Sequence, residues 1–458
     1  MQRIFQRINN TVWKIFFVVL EITIEKFGAR RRGTYFHGRV FRSVLADAKR
    51  HLKMMSDPAV PRLKLFTGEF RSVYLKDLFD VTYPIKETIE HLRGVMEWLR
   101  FACKVWCDEG CAAGYTILQG GKWLSPYPET TGYIIPTIWD WAKIADDGQD
   151  WKELARKLSL WEVEIQFPSG AVRQYYYDKT AKDESSPAVF NTGMVIFGLV
   201  RAYKETGEKV FYDAAVRAGD WLVNMQDDDG VWRRGDSTMP TNPLRTYHTR
   251  VAWSLAELWR ESDDEKYKEA ARRNLNWALT RQRENGFFDG AKFHIDENPL
   301  THTIAYTIEG LLGAGFIFGE ERYIEAAEMA AESAMLAYER MRFFPATFDE
   351  NWHSDDGYSC LTGCAQFSVI WQKIYQQNAD ARFLNAALKI NDFLKSTQWL
   401  DAQKPEIRGA VKGSHPIYGQ YRGKYTDYSK FNYVNWAAKF FADALMLEIQ
   451  NLERLGVK

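Results

Sequence analysis

The sequence predicts an all-α protein, an (α/α)6 toroid in which six helix pairs form a closed ring. Three observations support this prediction. A nearly all-apolar helix followed by an amphipathic helix recurs along the chain. Polar turns of similar composition join the two helices of each pair. One helix without a partner is left at each end of the series, and these two complete a sixth pair.

Five complete pairs follow one another, beginning at Thr130, Phe190, Thr246, Thr301 and Leu361. The turns "KETGEKVF", "RESDDEKY", "IFGEERY" and "QQNADARF" lie at matching positions, which is typical of a helix end, a reversal and a new helix start. A helix that is apolar all round must be buried, whereas an amphipathic helix faces solvent on one side. The first helices therefore form an inner ring and the second helices an outer ring.

The two remaining helices close the ring. The C-terminal segment "NYVNWAAKFFADALMLEIQ" reads as an inner helix without its partner, and the segment that begins "EHLRGVMEWLRFACKVW" at Glu90 reads as an outer helix without its own. Residues 86–458 are thus the predicted barrel. Residues 1–85 fall outside the repeat and are predicted to be an N-terminal extension packed on it.

The composition limits the classes of function. The 458 residues are 46% hydrophobic and 26% charged, enough to bury a large core. Because 60 basic residues balance 60 acidic ones, no nucleic-acid partner is expected. The aromatic content of 15%, with 17 Trp and 23 Tyr, favours a cleft where flat rings meet a polar ligand, and a Trp-rich core is the alternative.

Targeting signals and cysteines point to the cytoplasm. The N-terminal apolar run, residues 15–20, is short and has no cleavage site after it, which argues against a signal peptide. Its basic residues leave membrane-surface contact as a minor alternative. Five cysteines make no disulfide framework. Cys103, Cys107 and Cys111 are expected to share one helix ridge as packed side chains, so neither a metal nor a cofactor is predicted.

The repeat resembles the (α/α)6 toroid of six-hairpin glycosidases, polysaccharide lyases, sugar 2-epimerases and terpenoid cyclase-like proteins, over about residues 86–450. The stretches "SPYPETTGYIIPT", "GAVKGSHPIYGQY" and "NYVNWAAKFFADAL" resemble toroid proteins of bacterial exopolysaccharide and surface-polysaccharide gene clusters. Proteins of this family are often described as having a prenyltransferase-like fold. This resemblance implies an architecture and a carbohydrate setting, but no particular chemistry.

A toroid of this kind has its natural pocket where the inner helices begin, because helix N-termini offer free N–H groups. The loop "SPYPETTGYIIPT" enters the first inner helix, so Tyr127, Glu129 and Tyr133 are expected to face that pocket. A buried carboxylate is also expected at Glu309, where the aligned copies carry Gly198 and Ser254.

Glu309 is predicted to be the general acid, with Glu129 or Asp349 as the second carboxylate; a salt bridge from Glu309 to Arg250 is the structural alternative. His248 and His302 each start an inner helix, and Tyr306 lies one turn after His302. If the substrate is a uronate, one of these three side chains could abstract the C5 proton while Arg250 neutralises the carboxylate.

Other pocket residues are predicted from the remaining loops. "QDDDGVW" at Gln226 is expected to be structural, although similar repeats occur in terpene cyclases. The predicted substrate-binding residues are Tyr127, Tyr133, Arg250, Trp352, His415, Tyr418, Tyr421, Asn435 and Trp436.

The predicted function is that of a carbohydrate-active protein of surface-polysaccharide metabolism, a glycoside hydrolase acting on an oligo- or polysaccharide in the barrel mouth. A uronate lyase or C5-epimerase, a non-catalytic glycan-binding assembly subunit, and a terpenoid- or polyprenyl-binding toroid are the alternatives.

Overall fold

The computed structural model describes residues 68–177, 186–235, 241–419 and 428–456. Most of these residues are helical. The helices are α1 (Gly68–Leu78), α2 (Thr88–Lys104), α3 (Pro128–Trp141), α4 (Gly148–Ile165), α5 (Val189–Thr206), α6 (Lys209–Met225), α7 (Thr249–Ser262), α8 (Glu265–Leu279), α9 (Thr301–Phe318), α10 (Glu321–Met341), α11 (Leu361–Asn378), α12 (Ala381–Thr397) and α13 (Asn435–Arg454).

In the described part of the chain, twelve of these helices form the six predicted pairs. The inner helices α3, α5, α7, α9, α11 and α13 pack on their neighbours in that order, and α13 packs on α3 to close the inner ring. Each pairs with the outer helix that follows it, except α13, whose partner is α2 from the start of the barrel. The predicted toroid and its closing pair are confirmed.

Burial separates the two rings as the sequence pattern predicts. Inner helix α9 buries 14 of its 18 residues, among them Glu309. Outer helix α10 buries one stripe, made mostly of alanines, and leaves the rest to solvent. Small residues let the inner helices approach each other: a Cβ on Gly310 would lie 2.2 Å from the backbone of Thr249. This contact places Glu309 on α9 beside Arg250 on α7.

The four predicted turns share one backbone feature. Each inner helix from α5 to α11 is followed by a residue in the left-handed conformation, which reverses the chain into the outer helix. The four residues are Gly207, Asp263, Gly319 and Ala379, with φ of 72°, 56°, 64° and 58°.

A glutamine at the end of several outer helices ties neighbouring pairs together. The Gln226 amide nitrogen donates to the carbonyl of Gly230 in its own loop and to that of Ala270 on the next outer helix, α8. Gln166 and Gln282 make the same two contacts in their own repeats. Buried carbonyls need such partners, so the "QDDDGVW" motif is part of the frame, as expected.

Short strands lie beside the helices. β1 (Gly114–Thr116) pairs antiparallel with β2 (Lys122–Trp123) and with β5 (Asn432–Val434), and β3 (Ser359–Cys360) pairs antiparallel with β4 (Ser414–His415). They were not expected from the helical pattern. The β1–β5 pair joins the loop that precedes α3 to the start of α13 and so reinforces the closure.

The predicted cysteine ridge is wrong. Helix α2 ends at Lys104, and Cys107 and Asp108 both take positive φ, which turns the chain out of the helix. Only Cys103 is helical. Cys111 lies in the following loop, where its backbone N–H donates to the Thr131 hydroxyl.

The predicted N-terminal extension is described only from residue 68, and its earlier part lies outside the described residues. Within the described ranges, no helix is both long and apolar enough to cross a membrane.

Candidate active site at the inner-helix N-termini

The loop of residues 125–137 positions the first acidic side chain. Tyr127 is extended and Pro128 begins helix α3, where its missing N–H costs nothing. Glu129 follows in the first turn, and the Tyr127 hydroxyl donates to its Oε2 at 2.6 Å. Both side chains are half-buried. The exposed ring of Tyr176 packs edge-on against Tyr127, with centroids 5.2 Å apart.

The environment of Glu129 favours its protonated form. Burial raises the pKa of Glu129 to about 7, against the smaller opposing effects of the Tyr127 hydrogen bond and the positive charge of Arg250. A carboxyl group with such a pKa is present in both protonation states near neutral pH. Glu129 can therefore donate a proton and take it back.

A second carboxylate lies deeper between the inner helices. Arg250 donates to Glu309 Oε2, and the Gln366 amide nitrogen donates to the same oxygen at 3.0 Å. Arg250 and Glu309 are only 3% and 7% exposed. The structural alternative considered for Glu309, a salt bridge with Arg250, is present. The Arg250 guanidinium also faces aromatic rings at 4.9–5.8 Å, those of Tyr133, Phe197, Trp253, Tyr306 and Phe440.

The His302 ring packs against that of Tyr306 in a tilted arrangement, with ring centroids 4.3 Å apart and an interplanar angle of 53°. His302 Nδ1 lies 2.6 Å from Gln366 Oε1. Burial, aided by the charge of Arg250, lowers the pKa of His302 to about 3, so the imidazole is neutral at physiological pH. The ring of Tyr428 also lies near His302, with ring centroids 5.6 Å apart.

His248 lies at the start of α7, the inner helix that packs on α9. It ends the turn Thr246–His248 that precedes α7 and packs among the rings of Phe190, Trp232 and Tyr247. Burial and the nearby Arg245 hold its pKa well below the usual range. Phe190 touches both His248 and Tyr306, and so connects the two histidine positions.

Aromatic side chains at the start of α13 complete the mouth. The Trp436 indole N–H donates to the Tyr428 hydroxyl at 2.6 Å, and both side chains are half-buried. Asn435 is fully buried and donates to the Ala112 carbonyl and the Thr130 hydroxyl, each at 2.9 Å. Asn435 therefore fastens α13 to α3, whereas Trp436 and Tyr428 keep a solvent-facing surface.

Asp349 and Trp352 are placed in a loop that packs on its neighbour. Asp349 accepts the backbone N–H groups of Asn351 and His353 and so closes its own turn. The Trp352 ring is buried against Phe287. None of the contacts described for these two side chains reaches Glu129 or Glu309.

His415 and Tyr418 face helix α1. His415 Nδ1 lies 3.0 Å from the Lys412 ammonium, which forms a buried ion pair with Asp77, and Tyr418 packs on Tyr74 at 5.6 Å. Burial, with the charge of Lys412, lowers the pKa of His415 to about 4. Tyr421 lies outside the described residues.

The sequence reasoning missed Gln366, Tyr428 and Tyr176. Gln366 could have been found by the comparison of repeats that singled out Glu309, because the aligned copies carry Val195, Val251 and Tyr306 at its position. Tyr428 and Tyr176 lie in irregular loops with no repeat to align, so no such signal exists for them. Among the described residues, no group of three His, Cys, Asp or Glu side chains could hold a metal ion.

Comparisons with known proteins agree with this architecture. Residues 148–333, less than half of the chain, match the family model described as "Beta-L-arabinofuranosidase, GH127 catalytic domain". That segment contains Arg250, His302 and Glu309 but not Glu129. No curated protein matches the sequence.

Solved structures extend the similarity to most of the barrel. An unsaturated glucuronyl hydrolase specific for heparin has a TM-score of 0.62 and 14% identity, covering 80% of this chain and 98% of its own. Cellobiose 2-epimerase from Bacillus thermoamylovorans has a TM-score of 0.59 and 13% identity, covering 78% and 98%. A GH76 alpha-mannanase from Bacteroides thetaiotaomicron has a TM-score of 0.56 and 12% identity, covering 81% and 98%. At these identities the likeness shows the fold, and it confirms the toroid.

Proposed function

We propose that this protein is a glycoside hydrolase that cleaves an oligo- or polysaccharide bound in the barrel mouth. The observation that carries the proposal is Glu129, a half-buried carboxyl group at the mouth whose pKa burial raises to about 7. The match of residues 148–333 to a glycosidase catalytic domain supports it. Similarity in fold to an unsaturated glucuronyl hydrolase, a cellobiose 2-epimerase and an alpha-mannanase supports it as well.

In this proposal Glu129 is the general acid. Cleavage of a glycosidic bond needs a proton for the leaving oxygen, and a carboxyl group that keeps its proton near neutral pH can supply it. Tyr127 holds Glu129 Oε2 and so orients the group. This role was predicted for Glu309, but Arg250 and Gln366 both donate to Glu309 Oε2, which suits an acceptor, so we assign the acid role to Glu129 instead.

Glu309 is the proposed base. Arg250 and Gln366 hold it as an acceptor through Oε2, and in the described part of the chain no group hydrogen-bonds its Oε1. The separation of the two carboxyl groups in the substrate complex then sets the stereochemistry, inversion for a wide gap and retention for a narrow one. The half-buried rings of Tyr127, Tyr428 and Trp436 offer flat surfaces for the sugar.

We place this activity in cytoplasmic surface-polysaccharide metabolism. The sequence resemblance to toroid proteins of such gene clusters supports the metabolic setting. All five cysteines are free thiols, four of them buried, which supports a reducing compartment.

A uronate lyase or C5-epimerase is the second candidate, and His302 is the observation that favours it. Its imidazole is neutral and packs against Tyr306, so its unprotonated nitrogen could take a proton from a sugar carbon. The similarity to a cellobiose 2-epimerase supports this candidate as a carbohydrate proton-transfer enzyme.

The test is incubation with uronate-containing and neutral oligosaccharides in heavy-oxygen water, read by mass spectrometry. A hydrolase incorporates one heavy oxygen per cut, and Glu129→Gln should lower the rate by roughly 10²- to 10⁴-fold. The matched control is Glu257→Gln, an acid on inner helix α7 that bonds Trp253 and Arg260 outside the mouth. Products with a new double bond, or deuterium exchanged at C5 in heavy water, would instead establish the second candidate.

A further inference from the structure

Four buried polar side chains from three inner helices form one hydrogen-bonded chain. Arg250 on α7 donates to Glu309 on α9, Glu309 accepts from Gln366 on α11, and Gln366 contacts His302 on α9. All four are at most 7% exposed. Polar groups at such depth must be satisfied by one another, so the chain fixes which atoms carry hydrogens.

The direction of each hydrogen bond follows from the carboxylate. Glu309 Oε2 can only accept from Arg250 and Gln366, so the NH2 of the Gln366 amide faces Glu309 at 3.0 Å. The amide oxygen of Gln366 then faces His302 Nδ1 at 2.6 Å. An oxygen cannot donate, and therefore the hydrogen of this bond belongs to Nδ1.

A neutral imidazole with its hydrogen on Nδ1 has a lone pair on Nε2. Among the described residues, no group hydrogen-bonds His302 Nε2. The ring contacts those of Tyr306 and Tyr428, and Tyr428 is one of the half-buried residues of the mouth. Within the described ranges Nε2 is thus an acceptor without a donor, next to a surface that a ligand can reach.

We propose that Gln366, held by Glu309 and Arg250, is a positioning residue that locks His302 in the Nδ1–H tautomer and presents Nε2 as an acceptor for a sugar hydroxyl group. The ligand half of this inference rests on the proposed carbohydrate function. The tautomer half does not, because it follows from the protein's own hydrogen bonds. The opposite tautomer would leave Gln366 Oε1 facing a lone pair, a repulsive contact in a buried place.

The tautomer is measured directly by nitrogen NMR on the full-length protein with 15N-labelled histidine side chains. His302→Asn identifies the His302 resonances among the eight histidines. In the unsubstituted protein at neutral pH, Nδ1 should be the protonated nitrogen and Nε2 the unprotonated one. A protonated Nε2 would overturn the proposal, and the tautomer itself is read from the unsubstituted protein.

Gln366→Leu removes the lock and should shift His302 toward a mixture of tautomers. The matched control is Gln372→Leu on the same helix, since Gln372 is equally buried but bonds Ser368, Ala444 and Asn451 instead. The control should lose stability yet keep the His302 tautomer. A folded Gln366→Leu protein with an unchanged His302 spectrum would contradict the positioning role.

Turnover separates this inference from the proposed function. On an oligosaccharide that the protein cleaves, Gln366→Leu should lower kcat/KM about tenfold, the effect of one hydrogen bond, and Gln372→Leu should not. If Gln366→Leu changes the tautomer but leaves turnover intact, Nε2 does not serve the substrate. If instead Glu129→Gln retains activity while His302 shows the expected tautomer, only the proposed function fails.

Discussion

Glu129 couples the chemistry of the mouth to the stability of the fold. Burial raises its pKa from 4.5 to about 7, so the folded protein holds a proton that the unfolded chain releases. The contribution of Glu129 to the free energy of unfolding is then complete below pH 4.5 and is lost as the pH rises through 7. The full shift corresponds to about 3 kcal/mol, and partial solvent access at this half-buried side chain reduces that figure.

We therefore expect Glu129→Gln to gain stability relative to the parent protein as the pH rises from 5 to 8, because the variant has no carboxylate to bury. Denaturant unfolding at a series of pH values measures the difference. Glu257→Gln serves as the reference for losing an acid elsewhere on the inner ring. A stability difference that stays constant over this range would show that Glu129 has an ordinary pKa.

For single residues, the sequence identifies candidate site residues better than it identifies their chemical roles. Glu309 stands out because its aligned siblings are small, and its alternative partner Arg250 was correctly considered. The proposed assignment of Glu129 as acid and Glu309 as base depends on which of them meets a guanidinium and an amide. Those contacts come from three separate helices, α7, α9 and α11, and no spacing in the sequence encodes them.

Among the secondary-structure elements, the ends of the inner helices were predicted best from the local sequence. The four polar turns were predicted from their matching positions and from charged residues before an aromatic, and each holds a left-handed residue after its inner helix. Two of the four residues are glycines, but Ala379 adopts φ of 58° with a side chain. That conformation costs an L-residue about 1–2 kcal/mol.

Ala379→Gly should therefore raise the free energy of unfolding, by about 0.5–1 kcal/mol after the added flexibility of the unfolded chain is subtracted. Thermal or denaturant unfolding measures it. The control is Ala381→Gly, an exposed alanine two residues later in helical conformation, which should lower stability instead. Equal effects of the two substitutions would show that position 379 carries no strain.

The cysteine ridge shows where element prediction failed. Spacing of four residues suggested one helix through Cys103 and Cys111, but helix α2 ends at Lys104 and the backbone at Cys107 is left-handed. The short strands were missed for a related reason. Strand β1 finds its partner β5 more than 300 positions away, and strands of two or three residues leave no periodic pattern.

The whole ring depends on the pair that joins its two ends. Glu448 on α13 is 3% exposed and accepts from Lys395 on α12 at 2.6 Å, from Thr88 on α2 at 2.7 Å and from Asn391 at 2.7 Å. One buried carboxylate thus joins three helices at the closure. The sequence predicted this closure from two unpaired helices, but not the ionic contact within it.

Lys395→Met should destabilise the protein by about 3–5 kcal/mol, because it leaves the Glu448 charge buried without its cation. Adding Glu448→Gln removes that charge while keeping an oxygen for Thr88, so the double variant should recover much of the loss. Equilibrium unfolding of both single variants and the double variant gives the coupling energy. Additive losses would mean that the pair does not act as a unit.

Ring closure through α2 and α13 also has a consequence for how the protein is made. Helix α2 leaves the ribosome early, yet its partner begins about 330 residues later. At roughly 5–20 residues per second, the apolar face of α2, with Leu92, Val95 and Leu99, waits some 20–70 s for its permanent cover. The nascent chain therefore exposes an aggregation-prone apolar face through nearly all of its synthesis. A chain truncated before α13 would leave that face of α2 permanently uncovered.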